Sequence, residues 1–276
     1  MMTHPAVGEH LHVSYAENNK VLVLRLNRPK SLNAMTMELE SDLCRVLDWF
    51  ENEPTLWAVV VTGTGRVFCA GQDLKEALER QKTSGETFQD RIRANPHGFA
   101  SLARRISRKP IIVALNGSAY GGGAELLVNC DIVIGCKGAE IAFPEVRRGL
   151  VASVGGIPNL MNRSPVMAAY LLAGLPIPQH FLEAHVLTEV CESSQVMPTA
   201  LKWAKALVEC SPDAVRITKA QINKWRGGKG VHEVVRESTE EDGHLYAGEN
   251  VLEGLKAFGE RRLPKWADPE RPKAKL

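Results

Sequence analysis

Two glutamates, Glu125 and Glu145, stand just downstream of two short glycine-containing stretches, FCAGQDLK (Phe68 to Lys75) and NGSAYGGGAEL (Asn116 to Leu126). Gly121, Gly122 and Gly123 lack a Cβ, so the backbone there can approach a ligand closely, and the apolar run that follows reads as a helix start. An N–H from that turn is free to bind an anionic oxygen. Gln72, after Gly71, offers a second N–H ahead of an amphipathic stretch. Two donors converging on one carbonyl oxygen make an oxyanion hole, in which losing a donor costs ~10²–10³ in rate. Two carboxyls beside it would move protons to and from an enolate. Taken singly, each stretch is better explained by an ordinary strand-to-helix turn, because isolated glycine motifs are weak signals.

Four strings in order, LNRPKSLNAM (Leu26 to Met35), FCAGQDLK, KPIIVALNGSAYGGGAELLVNCDIVIG (Lys109 to Gly135) and AEIAFPEVRRGL (Ala139 to Leu150), resemble the crotonase, or enoyl-CoA hydratase/isomerase, superfamily. The likeness runs from about Val13 to about Trp266. It implies that the N–H groups of Gln72 and Gly122 are the oxyanion donors, and that Glu125 and Glu145 fall at the two catalytic glutamates of family hydratases. Both acids are wanted because water attacks Cβ while the thioester carbonyl gathers negative charge. By resemblance Glu125 holds and deprotonates the water, and Glu145, neutral beforehand, protonates Cα. The apolar neighbours Ile141, Ala142, Phe143 and Val146 suit a poorly hydrated, neutral acid.

The resemblance also implies a set of groups for coenzyme A. Lys30, Lys75 and Arg261 match positions near the nucleotide, Ala70 and Asp73 flank the first turn, and Phe258 with Arg261 would come from an adjacent subunit. CoA is then part of the substrate, with no separate cofactor and no metal. Two departures from the family bear on the acyl group. Gln72 stands where a small residue is common, and Val151 to Gly156 lacks a proline found in many family hydratases. Acyl length is expected to depend on the loop from Gln72 to Pro96, which includes KTSGETFQDR.

The elements that must position these groups are legible as apolar runs. Val21 to Asn27, Trp57 to Thr62, Ile111 to Asn116 and Asp131 to Cys136 read as strands buried on both faces. Met37 to Phe50 carries Leu39, Leu43, Val46, Leu47 and Phe50 at helical spacing. From Ser153 onward the chain reads as helices, among them Thr199 to Cys210, Pro212 to Trp225 and Val231 to Ala247. This is an α/β pattern, which the resemblance turns into a crotonase-like spiral of ββα units over residues 1–200, with a C-terminal helical trimerisation region over 201–276. A homotrimer or a dimer of trimers is implied by the likeness alone.

Composition fits one compact enzyme: 276 residues, 44% hydrophobic, with no linker-like or low-complexity run. A net charge of +2 gives no argument for a nucleic-acid or membrane partner, and none is expected. No apolar stretch reaches the ~20 residues of a membrane span, so a soluble protein is expected. The six cysteines, Cys44, Cys69, Cys130, Cys136, Cys191 and Cys210, show no Cys-x-x-Cys spacing, which points to core thiols in a reducing compartment. Ala274-Lys275-Leu276 resembles the Ser-Lys-Leu address. It predicts peroxisomal delivery through the import receptor, with the cytoplasm otherwise.

Three readings compete: a 2-enoyl-CoA hydratase of fatty-acid metabolism and β-oxidation; an isomerase or specialised dehydratase on the same fold; and a non-enzymatic RNA-binding or assembly protein. Retention of both glutamates with both turns favours the first. The third lacks a dense basic stripe with interleaved aromatics.

Overall fold

The computed structural model describes residues 3–87, 90 and 93–269. Part of the 82–91 loop stretch and the whole of Ala274-Lys275-Leu276 lie outside the described residues.

A six-stranded sheet is built from β1 (Leu11–Ala16), β2 (Val21–Leu26), β3 (Ala58–Gly63), β5 (Ile111–Leu115), β7 (Ile132–Cys136) and β9 (Glu189–Cys191), in that spatial order. The first pair is antiparallel and the rest are parallel. A second, three-stranded parallel sheet holds β4 (Val67–Cys69), β6 (Ser118–Tyr120) and β8 (Ile141–Ala142).

Period-two alternation explains why the long strands read as continuous apolar runs. Leu22, Leu24, Val59, Val61, Ile111 and Val113 face one core, with α1 (Met37–Asn52) supplying Leu39, Leu43, Val46, Leu47 and Phe50. Val21, Val23, Ala58, Val60, Ile112 and Ala114 face the other, against Val196, Ala200 and Ala204 of a later helix, Val196–Val208. The 200/201 division therefore falls inside a helix that packs on the sheet. That helix starts three residues before the expected Thr199, at a turn that the apolar periodicity does not mark. The helix expected over Val231 to Ala247 is α-helical to Asp242 and tightens to a 3₁₀ turn from Gly243, a poor helix former.

The chain climbs as a spiral in which each turn gives one strand to each sheet. β3 and β4 lead to α2 (Leu74–Ser84), β5 and β6 lead to α3 (Gly122–Leu127), and β7 and β8 lead to a 3₁₀ turn, Pro144–Arg148. The large sheet carries these turns side by side through its parallel order β3-β5-β7, and the small sheet through β4-β6-β8. Whatever follows each short strand is thus brought beside its equivalents from the neighbouring turns. In turn these are Gln72, Gly122 and Glu145.

Candidate active site

The first turn is held by the LNRPKSLNAM string. Ala70 N–H donates to Leu32 O, Met35 N–H to Gly71 O, and Asp73 N–H to Met35 O. Asn33 is wholly buried; its Oδ1 accepts from Arg28 N–H and its Nδ2 donates to the Thr64 and Val67 carbonyls. With the Gly71 N–H donating to Cys69 Sγ at 3.4 Å, the N–H groups on either side of Gln72 are used, and its own N–H is left without an acceptor among the described residues. The Gln72 side chain turns back to donate from Nε2 to Met35 O at 3.1 Å.

The second turn opens α3 at Gly122. No acceptor among the described residues meets the Gly122 N–H, the first of the helix. Glycine is required here, because a Cβ would lie 2.3 Å from Cδ2 of the Phe99 ring. The two turns touch: a Cβ on Gly71 would stand 3.5 Å from Gly122 N. Two unpartnered N–H groups therefore occur on adjacent turns, both in the wall of one cavity.

Glu125 lies one turn into α3 and is 3% exposed. Its Oε2 accepts from Val154 N–H at 3.0 Å and Gly156 N–H at 2.8 Å. Gly156 must be small, since a Cβ there would sit 2.5 Å from Glu125 Cγ. Burial pushes the Glu125 carboxyl up to about 7, against the pull of the Gly156 and Val154 N–H groups, and the Glu145 carboxyl adds to the rise. Glu145 follows Pro144 at the start of the 3₁₀ turn. Its carboxyl is also raised, foremost by burial, and its Oε2 is buried with no hydrogen-bond partner among the described residues.

Ala70, Gln72, Gly122, Glu125 and Glu145 line one cavity of about 480 Å³. Lys30, Asp73, Lys75, Phe258 and Arg261 are not in its wall. Asp73 has structural work instead: it caps α2 by accepting from Glu76 N–H and pairs with Arg28 at 3.2 Å. Lys30 and Lys75 are exposed, and Phe258 is 87% exposed near the end of the helix Glu249–Gly259. Among the described residues the cations in the wall are Arg147 and Arg148, both exposed, two and three residues beyond Glu145 in the EVRRGL string. Phe99, Glu40 and the Val154 and Gly156 N–H groups are further site elements that motif reading passes over. Only the glycine pair at 155 and 156 marks any of them in the sequence.

Among the described residues no group of three His, Cys, Asp or Glu could hold a metal ion. Burial pushes the Cys69 and Cys130 thiols up to about 12, so both are protonated packing groups. No helix among the described residues is long and apolar enough to cross a membrane.

Two unpartnered N–H groups beside two carboxyls shielded from water, on an α/β spiral, suit a class of enzymes that carry a thioester through its enolate. The particular family follows from sequence. A sequence model described as enoyl-CoA hydratase/isomerase matches residues 16–269. The mevalonyl-coenzyme A hydratase of Aspergillus fumigatus is 36% identical over 252 residues, spanning 89% of this chain and 91% of its own. The short-chain-enoyl-CoA hydratase of Clostridium acetobutylicum is 32% identical over 262 residues, spanning 91% and 95%. The crystal structure of enoyl-CoA hydratase from Mycobacterium tuberculosis H37Rv matches with a TM-score of 0.83 at 27% identity, covering 94% of this chain and 99% of its own. The chain belongs to the enoyl-CoA hydratase/isomerase family, has the crotonase fold, and is an enoyl-CoA hydratase-like lyase.

Proposed function

We propose that this protein adds water across the 2,3 double bond of an α,β-unsaturated acyl-CoA, or runs the reverse dehydration, with Glu125 as base and Glu145 as acid. The observation that carries the assignment of roles is the contrast between the two carboxyls. Glu125 accepts two backbone N–H groups from another segment, which favour its ionised form, whereas Glu145 has only its own backbone N–H and its buried Oε2 has no hydrogen-bond partner among the described residues. Glu125 takes a proton from water as the oxygen bonds to Cβ. The thioester oxygen gathers charge against the Gln72 and Gly122 N–H groups, and Glu145 delivers its proton to Cα. One water is added and no electrons are transferred, so the reaction needs neither metal nor cofactor beyond the CoA of the substrate. Loss of enoyl absorbance with crotonyl-CoA, abolished in Glu145→Gln, tests this; turnover at the wild-type rate in that variant would remove Glu145 from the mechanism.

The Aspergillus relative is named for mevalonyl-CoA, and a short, branched, hydroxylated acyl-CoA is accordingly proposed as the substrate class, with β-oxidation substrates the broader alternative. Exposed Leu252, Leu255, Phe258 and Leu263 suit burial in a homotrimer or dimer of trimers, where Phe258 and Arg261 would reach a neighbour's CoA. Lys30, Asp73 and Lys75 stay proposed CoA contacts, made from outside the cavity wall. Peroxisomal delivery is proposed through Ala274-Lys275-Leu276 where that tripeptide is free to be read. Its deletion should leave a tagged protein in the cytosol.

A further inference from the structure

We propose that Cys136 and Cys191 form an oxidisable dithiol, which hydrogen peroxide closes to a disulfide that clips both ends of the segment carrying Glu145 to the large sheet.

The two cysteines end neighbouring strands. Cys136 is the last residue of β7 and Cys191 the last of β9, and the parallel register sets them directly opposite each other. Residues paired in this way project to the same face of a sheet, and both side chains pack there against the core that includes Ile134, Val196 and Ala200. Neighbouring strands lie about 4.8 Å apart, inside the ~4.4–6.8 Å between Cα atoms that a disulfide spans. The register is held right beside the pair. Lys137 N–H donates to Cys191 O at 2.9 Å, and the Lys137 ammonium meets the Glu192 carboxylate at 3.2 Å. β9 is three residues long and last in the order of its sheet, so it can take up the small shift that closing the bond requires.

The remaining cysteines lack this arrangement. All six are free thiols. Cys69 stands opposite Ala119 and is wholly buried, as is Cys130 just after α3. Cys44 Sγ donates to Asp48 Oδ2 and Cys210 Sγ to Ala206 O, each within its own segment. Cys136 and Cys191 are only half-buried, next to exposed Lys137 and Glu192, where a small solute can reach them.

The step is a two-electron oxidation. One sulfur gives up its proton and attacks a peroxide oxygen; the O–O bond breaks, a sulfenic acid forms, and the departing hydroxide takes the proton as water. The second sulfur attacks the sulfenic sulfur to form the S–S bond, and the hydroxide it displaces takes the second thiol proton as another water. Between the two cysteines run β8, the Glu145 turn, and the Val154 and Gly156 N–H groups that hold Glu125. The disulfide makes that stretch a closed loop, which restricts the unfolded chain more than the folded one.

The test treats the reduced full-length protein with hydrogen peroxide. A thiol titration should then lose two of the six cysteines, and peptide mass mapping without reductant should find Cys136 joined to Cys191. The unfolding temperature should rise by about 5–10 °C and fall back with dithiothreitol. Cys136→Ala and Cys191→Ala should each lose both the cross-link and the rise, and either variant suffices if the other fails to fold. An unchanged thiol count, cross-links only between molecules or between other cysteines, or a sulfenic acid that persists at either position would overturn the proposal. A Cys136–Cys191 cross-link with no rise in unfolding temperature would overturn it as well, because the bond would then not act as a clip.

Discussion

The Phe99 ring occupies the space that a side chain at residue 122 would need, 2.3 Å from where a Cβ would stand. Gly122 is thus required by packing, and the placing of its N–H depends on an aromatic ring from a distant segment. Gly122→Ala keeps the N–H but must displace Phe99. It should lower kcat/KM steeply, up to the ~10²–10³ of a lost oxyanion donor. Adding Phe99→Leu should recover part of the loss, since the smaller side chain gives room for the methyl. Additive losses in the double variant, with a native circular dichroism spectrum, would show that the ring does not transmit the effect.

Replacing Glu145 by Gln keeps the shape and removes the proton. Hydration should fall by ~10²–10⁴, with binding of a saturated acyl-CoA nearly unchanged. Calorimetry of that binding separates the two. A large loss of affinity would mean that Glu145 holds the substrate and does not only protonate it.

Glu125 makes opposite contributions to activity and stability. Its carboxyl is displaced upward from 4.5 to about 7, so the folded protein keeps a proton that the unfolded chain has already released between those values. Below pH 4.5 both states are protonated. As pH rises through the window stability falls, by on the order of 3 kcal/mol, and levels off above 7. Glu125→Gln cannot titrate. It should therefore unfold at a higher temperature than wild type at pH 8, differ little at pH 4.5, and be inactive at both. As the base must be ionised and the acid protonated, wild-type kcat/KM should change across the range in which these two raised carboxyls titrate, with the Glu125 step at about 7. A wild-type profile flat from pH 5 to 9 would refute the assignment of both carboxyls.

The pattern of apolar runs carried β2, β3, β5 and β7 of the large sheet because each is five or six residues long and largely buried on both faces; it did not mark β1, exposed at His12 and Ser14, or the three-residue β9. The small sheet left no such trace. Its strands are two or three residues long, too short for any period, yet they are what sets Gln72, Gly122 and Glu145 side by side. The glutamates and the glycine turns were legible because they lie in contiguous motifs. The partners that tune them were not, since Glu125 is held by Val154 and Gly156, about thirty residues on, and Gly122 by Phe99. Asp73 shows the reverse difficulty. It sits inside a catalytic motif, but its carboxyl caps a helix and pairs with Arg28.

Gln72 and Asp73 give adjacent substitutions with contrasting outcomes. The Gln72 N–H is aimed by backbone bonds, Met35 N–H to Gly71 O and Asp73 N–H to Met35 O, and the side chain adds only one bond to Met35 O. Gln72→Ala should therefore retain most of kcat and lose about 1 kcal/mol of stability at most. Asp73→Ala removes the cap of α2 and the partner of a half-buried guanidinium, and should cost about 1–2 kcal/mol in unfolding free energy, with kcat/KM reduced through looseness of the turn. Denaturant titrations alongside steady-state kinetics decide between the two effects. Abolished turnover in a folded Gln72→Ala protein would show that the amide side chain, and not the backbone, serves the thioester oxygen. A rise in KM for CoA thioesters in Asp73→Ala, without loss of stability, would return Asp73 from the scaffold to the substrate.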